Sequence, residues 1–323
     1  MNDGFGRKIE YLRLSVTDRC DLRCTYCMPE GGVLPKSHDE ILSYEEILRI
    51  VSLMAQLGIK KVRLTGGEPL VRKNLSELVA RIKAIDGIEK VVLTTNGVLL
   101  SEQLPALADA GLDGVNISLD ALSEDIFQKI TRRSGVERVL RSIDKALSYQ
   151  HLRVKLNCVP MPINESQIIP MCEKFLADER LDLRFIELMP IGLGKGAAGI
   201  PEAELKAKIE GRFGTLSPLE HATTDGPCKY FSVSNMPGRL GLISAVSDCF
   251  CSSCNRVRLT STGFLKTCLQ YDRGAELRPL LSGSDDELLE TMRRAILEKP
   301  ERHAFSRPEV KNRETHTMSQ IGG

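Results

Sequence analysis

No stretch of the 323 residues approaches the ~18 unbroken apolar residues of a membrane-spanning helix. The polar opening Met1–Glu10 also lacks the apolar segment of a secretory signal. A soluble, cytoplasmic protein with no membrane partner is the expectation. Net charge is nearly absent too. Lys and Arg number 44 against 43 Asp and Glu, so there is no footprint of a nucleic-acid or membrane-surface protein, and any anionic partner has to be held locally. Tandem repeats of fixed period are missing. What the chain does have is ten cysteines. Without a secretory signal, and in a chain long enough to bury a sizeable core, they point to thiol, metal or cluster chemistry rather than a disulfide scaffold.

From Tyr11 to about Glu187, β-rich runs alternate with helical segments, the pattern of βα units around a parallel sheet. The runs are Tyr11–Thr17, Lys60–Thr65, Lys90–Thr95, Gly114–Leu119, Leu152–Val159 and Leu181–Leu188. Helices are predicted at about Tyr44–Leu57, Asn74–Ile85, Glu102–Ala110, Val136–Ser148 and Glu165–Asp178. Six units are too few for a closed eight-fold barrel, so a partial barrel and an open doubly wound sheet both remain. Either places the active site beyond the carboxyl ends of the strands. The chemically loaded residues sit there: Cys20 to Cys27 after the first run, Gly66-Gly67-Glu68-Pro69 after the second, Asn96-Gly97 after the third. Past Pro190 the chain turns glycine-rich and irregular, which predicts one region over 1–190 and a second over 191–323, ending in an extended tail from Lys299.

Cys20, Cys24 and Cys27 provide three soft thiolates within eight residues, suited to iron–sulfur clusters, zinc or copper. A closed structural zinc site wants four ligands, and only His38 lies nearby. Three ligands on a four-iron cluster leave one iron open. Here the sequence resembles the radical S-adenosylmethionine superfamily, whose CxxxCxxC loop follows the first strand of a partial (β/α)6 TIM-type barrel. The resemblance implies a 4Fe–4S cluster whose open iron chelates S-adenosylmethionine, which is cleaved on reduction to a 5′-deoxyadenosyl radical. It also implies cofactor contacts at Tyr26, Gly67, Ser118 and Met189. Tyr26 could equally pack over the cluster to exclude water, and Ser118 and Met189 could be strand-end packing.

A second triad, Cys251, Cys254 and Cys268, reads either as most of a zinc ribbon completed by Cys249 or as a second cluster with an open iron. Residues two apart in an extended segment share a face, so Arg256 and Arg258 point together beside these cysteines, as phosphate would require; a solvated basic edge is the alternative. A basic residue also interrupts the apolar runs at Arg13, Arg63, Lys155 and Arg184. Inside a barrel these cations demand an anion; facing outward they would snorkel between helices.

Both triads, Phe185-Ile186-Glu187-Leu188-Met189, Cys254-Asn255-Arg256-Val257-Arg258 and the terminal Gly322-Gly323 make essentially the whole chain resemble the GTP 3′,8-cyclase family, which begins molybdenum cofactor biosynthesis. That resemblance implies two 4Fe–4S clusters and GTP as substrate. GTP would be contacted by Arg13, Arg63, Thr94, Lys155, Arg256, Val257 and Arg258, with guanine at the second cluster's open iron. It further implies a Gly-Gly tail entering the site, a reduced flavodoxin-type or ferredoxin-type electron donor, cyclic pyranopterin monophosphate synthase downstream and a homodimer. A peptide-modifying radical enzyme with an auxiliary cluster is one rival, and a zinc-stabilised nucleotide-binding protein is another.

Overall fold

Period-two alternation buries one side of each strand run completely: Leu12, Leu14, Val62, Leu64, Leu93, Val115, Ile117, Leu156 and Leu183 are 0 % exposed. Each such side chain contributes about 1.5–3 kcal/mol by leaving water, and together they form the floor on which the helices pack. The computed structural model describes residues 1–34, 36–220, 226–305 and 314–322. Strand β1 is Tyr11–Ser15, followed by α1 (Tyr44–Gln56), β2 (Lys61–Thr65), α2 (Leu75–Lys83), β3 (Lys90–Thr95), α3 (Leu100–Asp109) and β4 (Gly114–Ser118). Helices α4 (Glu124–Thr131) and α5 (Val136–Leu147) come next, then β5 (Arg153–Cys158), α6 (Ile168–Phe175) and β6 (Leu181–Ile186). These strands are parallel and in sequence order, giving the six βα units expected.

Local signals place the helices. Ser43 accepts from the Glu46 backbone N–H at 3.1 Å while the Glu46 carboxylate accepts from Ser43 N at 2.6 Å, a reciprocal cap at the start of α1. In α5, Val136, Val139, Ile143 and Ala146 form the buried stripe. Helix α4 was absent from the sequence-predicted set. It spans only two turns, with Phe127 and Ile130 as its apolar face, and it stops where Arg132 turns left-handed (φ 56°).

The C-terminal third adds α7 (Glu202–Phe213), β7 (Ser217–Pro218), β8 (Lys229–Val233), β9 (Met236–Ile243), β10 (Arg256–Leu259), β11 (Phe264–Lys266), β12 (Gly274–Glu276) and α8 (Asp285–Leu297). These strands extend the same sheet on both flanks. β10 lies parallel to β1 and β9 parallel to β6, while β11, β12, β8 and β7 follow as antiparallel edges. The full order is β12-β11-β10-β1-β2-β3-β4-β5-β6-β9-β8-β7. Sequence periodicity gave no hint that β10 would neighbour β1. That pairing sets the strand before the first triad in register with the strand that follows Cys251 and Cys254, with Arg13 opposite Arg63 on one side and Arg258 on the other. Among the described residues no helix is long and apolar enough to cross a membrane.

Candidate functional site

The loop after β1 carries the first triad. Cys24 O accepts from Cys27 N (3.0 Å) and Met28 N (2.9 Å), a single helical turn that sets two of the thiols. The loop after β2 braces it: Gly67 N donates to Thr17 O at 2.8 Å and Glu68 N to Arg19 O at 2.7 Å. A Cβ on Gly67 would sit 2.2 Å from Arg19 O, so only glycine permits this approach. Glu68 accepts from Thr95 Oγ1 (2.8 Å) and Asn96 N (2.7 Å), and Asn96 Nδ2 donates to Asp21 at 2.6 Å, joining the loops after β1, β2 and β3. Burial pushes the Glu68 carboxyl up to about 7 against those donors. The other side of the loop is held by α4, whose Ile130 and Thr131 carbonyls accept from Thr25 N and Arg23 N, both at 2.9 Å. Arg132 Nη1 closes the clamp on the carbonyls of Arg23 (2.9 Å) and Met28 (3.1 Å).

Burial drives the Cys20 thiol up to about 12, Cys27 to about 11 and Cys24 well above its usual range. The nearby charges on Cys20 and Cys24 are acidic and push the same way, so thiolates here need a bound cation. Three clustered soft donors, with no fourth beside them among the described residues, fit an iron–sulfur cluster with one open iron. Tyr26 Oη donates to Asp120 at 2.7 Å, and Asp120 also accepts from Val159 N at 2.8 Å. Burial raises the Asp120 carboxyl to about 6. Tyr26, Gly67, Ser118 and Met189 all line the cavity that the first triad opens into.

The second triad lines the same cavity, about 350 Å³ in volume. Cys251 begins a short turn in which Cys254 N donates to its carbonyl at 3.2 Å, and β10 starts two residues later. Burial lifts Cys251 to about 12. Cys254 goes the other way: burial raises it, but the Arg256 and Lys299 charges more than reverse this and hold it at about 6. Cys268 follows β11 on the cavity wall.

Alternation turns the basic positions inward. Arg13, Arg63, Arg184, Arg256 and Arg258 line the cavity, Arg256 lying over the Phe250 ring at 5.0 Å. Arg63 Nη1 donates to Thr94 Oγ1 at 3.0 Å and its Nε to Tyr11 Oη. Arg184 donates to Asn157 Oδ1 at 2.6 Å, yet its buried Nε has no hydrogen-bonding partner among the described residues. Such a donor fits an anion that the protein itself does not provide. The tail enters here: Gly322 O accepts from Arg258 Nη1 (3.3 Å), Thr65 Oγ1 (3.3 Å) and Arg13 Nη2 (3.5 Å). Gly322 has φ +77° and its Cα faces Ser15, a conformation suited to glycine. Gly323 lies outside the described residues.

Two expected substrate contacts sit differently from the rest. Val257 is 0 % exposed and packs into the core on the face opposite Arg256 and Arg258, so only its backbone could meet a ligand. Lys155 does point inward, but it is not on the cavity wall. It donates to Tyr230 Oη at 2.9 Å and pairs with Asp182 at 3.1 Å. Asp182 also accepts two bonds from Arg239, at 2.7 and 2.9 Å. Burial would raise this carboxyl, but Arg239 and Lys155 hold it below its usual value. Asp182→Ala removes the countercharge of a buried ammonium and is expected to cost about 3–5 kcal/mol, read as a lower urea midpoint. Because the native pKa is depressed, the stabilisation is full above the unfolded value of about 3.9 and disappears as pH falls through the native one. An unchanged midpoint at neutral pH would show that Asp182 carries no such role.

Sequence reasoning passed over Lys61, Tyr11 and Lys299. Lys61 and Tyr11 stand two residues before Arg63 and Arg13, so the period-two rule could have found them. Lys299 has no such signal; it arrives from beyond α8 and donates to Arg256 O at 3.0 Å.

The comparisons agree with this geometry. A profile of the radical SAM superfamily matches residues 14–175, and one described as Molybdenum Cofactor Synthesis C matches residues 181–305. GTP 3′,8-cyclase of Clostridium perfringens (strain 13 / Type A) is 44% identical over 326 residues, covering 100% of both chains. The enzyme of the same name from Geobacter sulfurreducens is 44% identical over 325 residues, 99% of each. Among solved structures, Streptococcus suis SuiB bound to S-adenosylmethionine aligns with TM-score 0.58 at 14% identity, over 85% of this chain and 65% of that one, a likeness of fold. Matched along its whole length, the chain belongs to the GTP 3′,8-cyclase family of the radical SAM superfamily.

Proposed function

We propose that this chain converts GTP to 3′,8-cyclo-7,8-dihydro-GTP, the first step of molybdenum cofactor biosynthesis, using S-adenosylmethionine and two 4Fe–4S clusters. The observation that carries this reading is that both cysteine triads line one cavity together with Arg13, Arg63, Arg184, Arg256 and Arg258. Cys20, Cys24 and Cys27 would hold the cluster that meets S-adenosylmethionine, and Cys251, Cys254 and Cys268 the one that meets guanine. When bound, the first cluster and S-adenosylmethionine would supply the radical chemistry that removes a hydrogen atom from the ribose of GTP.

The rest falls to the chain's own side chains. Gly67 lets the second loop close on the first, Tyr26 is fixed by Asp120 against the cofactor, and Ser118 and Met189 complete that wall. Arg13, Arg63, Arg184, Arg256 and Arg258 would neutralise the triphosphate, with Thr94 held in place by Arg63. Lys155 would act from behind, orienting Tyr230 and Asp182. The buried arginines keep ribose and guanine in one orientation between the two triads, which favours ring closure over loss of the radical to solvent. A peptide-modifying enzyme would leave this arginine wall without an anion. Reduction calls for a low-potential one-electron donor of flavodoxin or ferredoxin type, and the product would pass to cyclic pyranopterin monophosphate synthase. A cytoplasmic homodimer, with 1–190 as the radical-generating part and 191–323 as the substrate-holding part, fits the same reading.

Anaerobic incubation of the reconstituted, reduced chain with GTP and S-adenosylmethionine is expected to yield deoxyadenosine and cyclised product in equal amounts. Deoxyadenosine formed with GTP untouched would overturn the assignment.

A further inference from the structure

Cys249 has no place in either triad. It is exposed, and it is not on the cavity wall. Its thiol nevertheless lies with the Cys251 thiol and the His303 imidazole so that one ligand atom of each falls within 4.8 Å of the others. Two thiols and an imidazole are a soft donor set of the kind that selects zinc and its neighbours. On one tetrahedral zinc, with Zn–S about 2.3 Å and Zn–N about 2.0 Å, donors stand roughly 3.5–3.8 Å apart, so closing the site asks each pair to approach by no more than about an ångström.

His303 supplies a second, independent observation. Both of its ring nitrogens are buried, and among the described residues neither meets ordinary hydrogen-bond geometry, although the ring lies against the Ala245 backbone. Buried polar nitrogens are nearly always partnered, and a neutral imidazole whose N–H is turned to a backbone carbonyl keeps a lone pair on the other nitrogen for an ion beside the two thiols. The ring is not adrift: His303 N donates to Cys251 Sγ at 3.3 Å, and the imidazole lies tilted against Phe305, 4.4 Å between centroids at 38°.

We infer that Cys249, Cys251 and His303 bind one soft divalent ion such as zinc in the chain that lacks its second cluster, and that this ion and that cluster exclude each other. Cys251 belongs to both sets, and one thiolate cannot complete both. Exposure of Cys249 lets the ion in from solvent and leaves the fourth position to water. Binding releases the two thiol protons to solvent and transfers no electron. Occupancy therefore decides whether the second triad can receive iron, which rests on reading that triad as a cluster site.

Cobalt(II) is the probe for the ion itself. The cluster-free chain, kept anaerobic with a phosphine reductant, is expected to bind one Co²⁺ with tetrahedral ligand-field bands and a two-thiolate charge-transfer band. Cys249→Ser and His303→Gln should each weaken binding by about tenfold or more through loss of a ligand, while Cys268→Ser should not. Equal affinity in Cys249→Ser, or loss in Cys268→Ser, would overturn the site. For the exclusion, reconstitution with one equivalent of Zn²⁺ should leave the unmodified chain at about four irons and bring Cys249→Ser to about eight. Eight irons in both would overturn the exclusion. About four in both without zinc would sink the second cluster instead, and the cobalt result would stand.

Discussion

Replacing Cys24 by serine is expected to abolish S-adenosylmethionine cleavage while leaving GTP binding in place. Iron should fall from about eight to about four per chain, because the first triad loses its cluster and the second keeps its own. The effect is all or none for a structural reason. Cys24 would be the middle ligand of the triad; its carbonyl also accepts from Cys27 N and Met28 N, so thiol and turn are set by one residue. Burial raises its thiol well above the usual range, the neighbouring Cys27, Asp120 and Cys20 push the same way and a backbone hydrogen bond offsets little of this, so the thiolate depends on a bound cluster. A serine hydroxyl, being hard and weakly acidic, cannot substitute. Deoxyadenosine is the product to quantify; formation at the unmodified rate would remove the triad from the mechanism.

Arg258→Ala is expected to weaken GTP binding by about ten- to a hundred-fold, the range for losing a hydrogen bond between charged groups of 1.5–3 kcal/mol. Arg258 is 9 % exposed on β10, opposite Arg13 across the β1 pairing, and burial lowers its pKa to about 10, which leaves it charged at neutral pH. Iron should remain at about eight, since no cysteine moves. Anaerobic equilibrium dialysis with GTP measures the loss. Arg258→Lys should recover only part of the affinity, because an ammonium keeps the charge but not the planar fork. Unchanged affinity in the alanine variant would show that Arg258 serves the tail alone, through Gly322 O.

Much of this site could be read from spacing. Arg13, Arg63 and Arg184 stood out because a cation in an apolar strand has to face something, and the structure turns all three into the cavity. The same alternation sends Val257 the other way; a residue between two inward arginines must face the core. Lys155 was legible as inward but its partners were not, since Asp182 and Tyr230 come from β6 and β8, and sheet neighbours distant in sequence leave no local trace. Helix α4 went unseen because two amphipathic turns give too few repeats to show a period, although it clamps the first triad's loop. The pairing of Cys249 with His303 is of the same kind: two ordinary loop positions that only the fold brings together.

The position of β1 between β2 and β10 has a consequence for synthesis. On the ribosome, β1 and β2 emerge together, yet the other edge of β1 stays open until residues 256–259 have been made. The edge of β6 likewise waits for β9. A nascent chain halted near residue 190 presents two unpaired parallel edges, the surfaces most prone to wrong pairing. Pairing of β10 closes that edge of β1 and carries the Cys251–Cys254 turn, two residues upstream, to the site. The two cysteine triads therefore become neighbours only at the end, and iron that arrives earlier meets half a site.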